Sequence, residues 1–130
     1  MSCVDGNPQT PKMTNGLCVV GSLHDDTLLR SGATPKDWVL ALEVGEHIPK
    51  QYETRFLQNM DALNTQGVVM SWAHIGQGGA GHVNEQDHHY VISRMESLGY
   101  RLDRASSDML RASAKLPWFQ NNVFVFVRQL

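Results

Sequence analysis

Residues 37–49 read Asp-Trp-Val-Leu-Ala-Leu-Glu-Val-Gly-Glu-His-Ile-Pro. Trp38 to Leu42 is a continuous apolar run of strand length. A run without alternation suits a strand buried on both faces of a mostly parallel sheet. Straight after it, Glu43, Glu46 and His47 place two carboxylates and an imidazole within five positions. In open α/β sheets ligands bind outside the carboxyl ends of the strands, so this stretch is the first place to look for a site. Carboxylate oxygen suits hard divalent cations, and imidazole suits transition metals. Read without a ligand, Glu46 and His47 are solvated loop residues beside a helix N-terminus, where acids are favoured.

Working outward, Leu17 to Val20, Val68 to Trp72 and Val123 to Val127 are three more apolar runs. The first two are also unalternating, and a weaker strand at Tyr100 to Ala105 pairs with Val123 to Val127 to close the sheet antiparallel. Between the runs lie helical patterns. Tyr52, Phe56, Met60 and Leu63 recur at spacings of four, four and three behind Pro49, which gives one apolar face. Asn84 reads as the N-cap of a second helix that carries Val91, Met95 and Leu98 and stops at Gly99. A short helix starts at Ser106 or Ser107 and ends before Pro117. Strands alternating with helices predict an α/β fold with a mostly parallel sheet and an antiparallel C-terminal strand pair.

The composition narrows the function classes. A chain of 130 residues fits a single domain, and 42% hydrophobic with 18% charged residues is globular. The net charge of −2 argues against a nucleic-acid-coating or polybasic membrane protein. No apolar run approaches the roughly 20 residues of a bilayer span, and no leader pattern opens the chain. Cys3 and Cys18 are the only cysteines; without an export signal they read as free thiols in a reducing, cytoplasmic compartment.

A second lead follows Trp72. Gly76, Gly78 and Gly81 match G-x-G-x-x-G after a strand, and Asp103 lies about 20 residues on, so dinucleotide binding through Gly76–Gly81 stays open. Against it, the capping signal at Asn84 lies beyond the last glycine. His88 and His89 point about 100° apart on a helix, so one metal takes only one of them. Asp5-Gly6-Asn7 is either an Asx-type turn or an acid placed for ribose hydroxyls.

At Glu43 to His47 the sequence resembles class I S-adenosylmethionine-dependent methyltransferases, many of which carry E-V-x-E-H after their fourth strand. The resemblance implies a Rossmann-like methyltransferase sheet. The Asp5 turn would follow its second strand, Leu17 to Leu23 would form the third strand and the adenine pocket, and the later runs would be strands five to seven. Asp5, Asn7, Ser22, Leu23 and Glu43 would then bind the cofactor. E-x-x-E-H is also a metal motif in small-RNA 2′-O-methyltransferases and ubiquinone-pathway O-methyltransferases. That nominates Glu43, Glu46 and His47 for Mg²⁺ or Mn²⁺, with His88 of the Asp87-His88-His89-Tyr90 segment as the fourth ligand and His82 and His74 as competitors. A metal would lower the pKa of a substrate hydroxyl; alternatively a histidine acts alone as general base. Glu46 and His47 are the catalytic candidates.

The resemblance covers residues 1–130 as one domain, without the family's first strand and its glycine-rich cofactor loop. Two functions follow as expectations. One is methyl transfer, O-methylation in particular, to a small or hydroxyl-bearing acceptor. The other is a catalytically inert fragment acting as an interaction module, whose free sheet edge favours a homodimer or a partner strand.

Overall fold

The computed structural model describes residues 2–130. Six strands and six helices follow one another: β1 (Val4–Asp5), α1 (Thr10–Met13), β2 (Val19–Val20), α2 (Thr27–Arg30), β3 (Lys36–Ala41), α3 (Glu53–Ala62), β4 (Asn64–Ser71), α4 (His88–Glu96), β5 (Tyr100–Leu102), α5 (Arg104–Ser113), α6 (Phe119–Asn122) and β6 (Val123–Arg128). The larger sheet has the order β3-β4-β6-β5. β3 and β4 are parallel, and β6 runs antiparallel to both β4 and β5. Three of its four strands therefore point one way, as the runs predicted. β1 and β2 form a separate parallel ribbon.

One face of the large sheet carries the core. Ala41, Val68, Met70, Phe124 and Phe126 meet Phe56, Leu57 and Met60 of α3 and Val91 and Met95 of α4. Phe56 and Met60 of the expected α3 face, and Val91 and Met95 of α4, turn inward with helical spacing, whereas Tyr52 is 38% exposed, Leu63 lies outside the cluster, and Leu57 stands in the core instead. On the opposite face α5 packs along β6. Ser107 accepts a hydrogen bond from the Val125 amide, and Arg111 donates to the Val123 carbonyl.

At β3 that second face is open, and the ribbon strand β2 is exposed as well, which corrects the expectation of double-sided burial for Trp38 to Leu42 and Leu17 to Val20. Leu17, Val19 and Val20 are exposed, and Leu40 on β3 is 69% exposed. Only β4 is buried on both faces among the three. An unalternating apolar run states that a strand can be buried twice, not that a second layer is there to bury it.

Gly67 sits opposite Trp38 in the β3–β4 register. A Cβ there would press on the Phe126 carbonyl oxygen and the Trp38 ring. Gly67→Ala is therefore expected to cost about 1–3 kcal/mol. Chemical denaturation checks this, and an unchanged midpoint would show that Trp38 moves aside freely.

Three further local readings change. The α4 cap is Asp87, whose carboxylate accepts from the Tyr90 amide; Asn84 instead donates its side-chain amide to Glu53. Asp103 caps α5 by accepting from the Ser106 amide, so the strand from Tyr100 stops at Leu102. Cys3 and Cys18 form a disulfide rather than free thiols, their Cα atoms 4.5 Å apart. The cause is the ribbon register: Val4 pairs with Val19, which sets the two preceding residues side by side. The two sulfurs are bonded to each other and so give no indication of a reducing compartment. No helix among the described residues is long and apolar enough to cross a membrane.

Candidate active site at the strand ends

The ends of β1, β2 and β3 open onto one cavity of about 810 Å³. Asp5, Asn7, Ser22, Leu23 and Glu43 all line it, together with His47. Its size suits a small ligand of nucleoside dimensions. Asp5 also makes the Asx turn, accepting from the Asn7 amide at 2.7 Å. This uses Oδ1, and the two readings of that turn are compatible.

Glu43 leaves β3 with φ +53°, a left-handed conformation rare outside glycine. Ser71 of β4 holds it there: the Glu43 amide donates to Ser71 Oγ at 2.7 Å, and that hydroxyl donates back to Glu43 Oε1 at 2.8 Å. Backbone strain of this kind persists where the surroundings over-determine it, commonly at functional sites. Asn122 reaches the same Oε1 at 3.4 Å. Neither Ser71 nor Asn122 carried any signal in the sequence, because both act only through the β4–β6 pairing.

Glu46 and His47 follow in a single 3₁₀ turn at residues 45–47. Gly45 is required there, since any Cβ would enter the Trp72 ring. Glu46 is fully buried, and neither carboxylate oxygen has a hydrogen-bond partner. Burial, reinforced by the neighbouring Glu43 carboxylate, pushes its pKa up to about 7. An orphaned buried carboxylate of this sort needs an explanation.

The segment from Ala73 to Asn84 folds back over this turn, with the Val83 and Asn84 amides both donating to the Glu46 carbonyl. That brings His82 into place. Side-chain ligand atoms of Glu46, His47 and His82 lie within 4.8 Å of one another. His47 Nδ1 bonds the Gly81 carbonyl at 3.0 Å, and His82 Nδ1 bonds Glu85 at 2.8 Å. Each ring is thus oriented through one nitrogen, which is how metal-binding histidines are usually held. Glu43 and His88 are not in this group. His88 lies instead against His74 and Phe124, with ring centroids 5.1 Å away in both cases. Sequence spacing could not separate His82 from His88, since the choice depends on how the glycine segment folds.

Gly76, Gly78 and Gly81 do adopt positive φ. Their loop, however, is closed around its own acid: the Gly76 and Gly78 amides donate to Glu85 at 2.8 and 2.7 Å. These are the donors a pyrophosphate would require. Asp103, the matching ribose acid, is spent as a helix cap. The glycine motif therefore builds a loop, not a dinucleotide grip. The hydrogen bond from His82, then those from the two glycine amides, hold the Glu85 carboxyl below its usual range.

The architecture is shared with solved enzymes. Magnesium protoporphyrin IX methyltransferase (ChlM) from Synechocystis PCC 6803, with bound S-adenosylhomocysteine, superposes with a TM-score of 0.59 at 12% identity. The methyltransferase domain of the bacterial protein CtHen1-C superposes at 0.56 and 15% identity. The chain shares its fold with both of these methyltransferases. The matches cover 93% of this chain and 57% of ChlM, and 98% of this chain and 76% of the CtHen1-C domain. The chain spans about half the length of ChlM. A pericyclic reaction enzyme shares the fold as well, with a TM-score of 0.56 at 14% identity, so the fold alone does not fix the reaction. No family model matches the sequence, and no curated protein does.

Proposed function

We propose that this protein transfers a methyl group from S-adenosylmethionine to an oxygen of its acceptor. The supporting observation is the 810 Å³ cavity at the strand ends, where Asp5, Asn7, Ser22, Leu23 and Glu43 converge. Asp5 and Glu43 offer carboxylate oxygens to ribose hydroxyls, and Leu23 offers an apolar side chain to an adenine ring. In the transfer an acceptor oxygen attacks the methyl carbon. A C–O bond forms, the C–S electron pair returns to sulfur, and the acceptor's hydroxyl proton leaves.

Glu46, His47 and His82 would hold a divalent cation such as Mg²⁺ or Mn²⁺. The donor set fits: one carboxylate without any partner and two imidazoles each oriented through Nδ1. When bound, the cation supplies positive charge that polarises an oxygen brought to it. The chain's own contribution is the fold-back of the glycine segment, which carries His82 onto the β3 end.

Titrating S-adenosylhomocysteine into the protein by calorimetry, with and without Mn²⁺, tests both parts. Saturable heat is expected for the nucleoside, and Mn²⁺ binding is expected to vanish in Glu46→Ala/His47→Ala while surviving His88→Ala. Glu85→Gln, which loosens the ring of His82, should weaken Mn²⁺ about 10–100-fold. No heat with S-adenosylhomocysteine would overturn the transferase reading. Manganese bound equally well by the double variant would overturn the metal site.

The open side of β3 favours a second reading, that of an interaction module. Trp38 and Leu40 are exposed on a strand whose outer edge makes no ladder to β1, and such edges pair with a second copy or another chain. Concentration-dependent sedimentation without nucleoside binding would favour it.

A further inference from the structure

One wall of the nucleoside cavity, formed by Val4, Asp5, Gly6 and Asn7, belongs to the β1–β2 ribbon and its turn rather than to the large sheet. Among the described residues, every hydrogen bond made by residues 3–18 ends within residues 3–21. Between the two ribbon strands the Val19 amide donates to the Cys3 carbonyl and the Gly21 amide to the Asp5 carbonyl, each at 3.0 Å. Packing adds little, since Asp5 and Asn7 are exposed and so are Val19 and Val20. Hydrogen bonds to the body of the fold begin further along, where Asn59 donates to the Leu23 and Asp25 carbonyls at 3.3 and 2.7 Å. Asp5 is therefore held over the cavity through β2.

The Cys3–Cys18 disulfide fastens β1 to β2 across a sequence separation of 15. A cross-link over a loop of this length favours the closed form about a hundredfold, through the freedom it removes from the open chain. The backbone bonds contribute less, because a two-stranded ribbon alone is marginal in water. Cys3 is exposed and Cys18 half-buried, so the Cys3 side of the bond is the one open to an attacking thiolate. The buried cluster of the large sheet includes no residue of 3–18, and release of the ribbon leaves that core intact.

We propose that Cys3–Cys18 is a redox site that gates the adjoining cavity: oxidised, it holds the Asp5 wall in place, and reduced by a dithiol, it releases that wall. A thiolate of the dithiol attacks Cys3 Sγ, the S–S bond breaks, and Cys18 leaves as a thiolate that takes up a proton. The reductant's second sulfur then attacks the mixed disulfide, and Cys3 leaves and takes the second proton. Two electrons and two protons pass to the protein, and the dithiol ends as its own cyclic disulfide. The effect on a ligand rests on the methyl-transfer reading, which places S-adenosylhomocysteine in this cavity.

Amide hydrogen exchange and S-adenosylhomocysteine calorimetry, each in reduced and in oxidised dithiothreitol, test the gate. On reduction the Val19 and Gly21 amides are expected to exchange at least about tenfold faster, while those of Val68 and Phe126 in the large sheet keep their rates. S-adenosylhomocysteine is expected to bind at least about tenfold more weakly, and Cys3→Ser/Cys18→Ser to match the reduced protein and ignore dithiothreitol. By reciprocity, saturating S-adenosylhomocysteine should raise the ratio of reduced to oxidised dithiothreitol at half-reduction by the same factor. Ribbon exchange equal in both states, or acceleration of Val68 and Phe126 alongside the ribbon, would overturn the proposal. The two readings fail separately: ribbon release with no nucleoside bound in either state removes the transferase reading and leaves the redox site, whereas nucleoside bound equally well in both states removes the redox gate alone.

Discussion

Glu53→Ala is expected to lower stability by about 3 kcal/mol, which at this chain length lowers the melting temperature by about 10 °C. Glu53 opens α3 yet is only 2% exposed. Its Oε2 accepts from Asn84 at 2.8 Å and from Lys50 at 2.9 Å, and its Oε1 accepts from the Tyr90 hydroxyl. Arg94 approaches at 3.4 Å. Burial pushes the Glu53 carboxyl up, but the hydrogen bonds from Asn84, Tyr90 and Lys50 outweigh it and hold the carboxyl below its usual range.

Removing the carboxylate strands Asn84, itself 5% exposed, and frees the Tyr90 hydroxyl. Lys50 and Arg94 are partly in water and lose less. Glu53→Gln keeps the size and part of the bonding, so it should lie between wild type and alanine. A melting temperature unchanged in Glu53→Ala would show that the cluster holds nothing together. The consequence reaches the site, because Asn84 ends the segment that carries His82.

Glu46→Gln is expected to act in the opposite direction. Burial and Glu43 raise the folded pKa of Glu46 from 4.5 to about 7. A raised folded pKa means that ionisation is penalised in the native state. The stability this group contributes is full below about pH 4.5 and is lost as pH rises through about 7. The difference of about 2.5 units corresponds to about 3 kcal/mol. Glutamine cannot ionise, so in EDTA the variant should exceed wild type by up to about 3 kcal/mol at pH 8 and match it near pH 4.5.

Glu53, Glu85 and Asp103 shift the other way, but they are common to both proteins and cancel in the comparison. Urea midpoints at the two pH values provide the measurement. Wild type equal to or above the glutamine variant at pH 8 would show that Glu46 ionises without penalty. Adding Mn²⁺ should narrow the gap at pH 8, since a cation rewards the charged carboxylate only in the wild type.

Much of the fold was legible because periodicity survives packing. The face of Phe56 and Met60, the run Val68 to Trp72 and the run Val123 to Val127 became α3, β4 and β6 with small shifts at their ends. What escaped depended on contacts distant in sequence. Asn84 has the chemistry of a helix cap, but Glu53, 31 residues away, claims its side chain. Asp103 has the chemistry of a ribose acid, but the nearest available donor is its own helix.

The candidate site divides the same way. Residues proposed for the nucleoside cavity converge because they sit at strand ends, which the strand pattern marks. The histidine beside Glu46 and His47 is His82 because a glycine-rich segment folds back on two amide bonds to the Glu46 carbonyl. Glycine permits such a path without specifying it. The Cys3–Cys18 bond belongs with these: only the pairing of Val4 with Val19 reveals it.

The carboxylate that closes the glycine loop sets the loop's dealings with the surrounding solution. A turn of bare amides at positive φ is an open receptor for phosphate, and in a cell nucleotides and inorganic phosphate would crowd into it. Glu85 fills that receptor permanently, at a local concentration no free anion can match. The loop is in this sense pre-loaded with its own counter-ion. With those amides occupied, the loop offers phosphate no free donors, and the neighbouring cavity keeps its own carboxylates, Asp5 and Glu43, for its ligand.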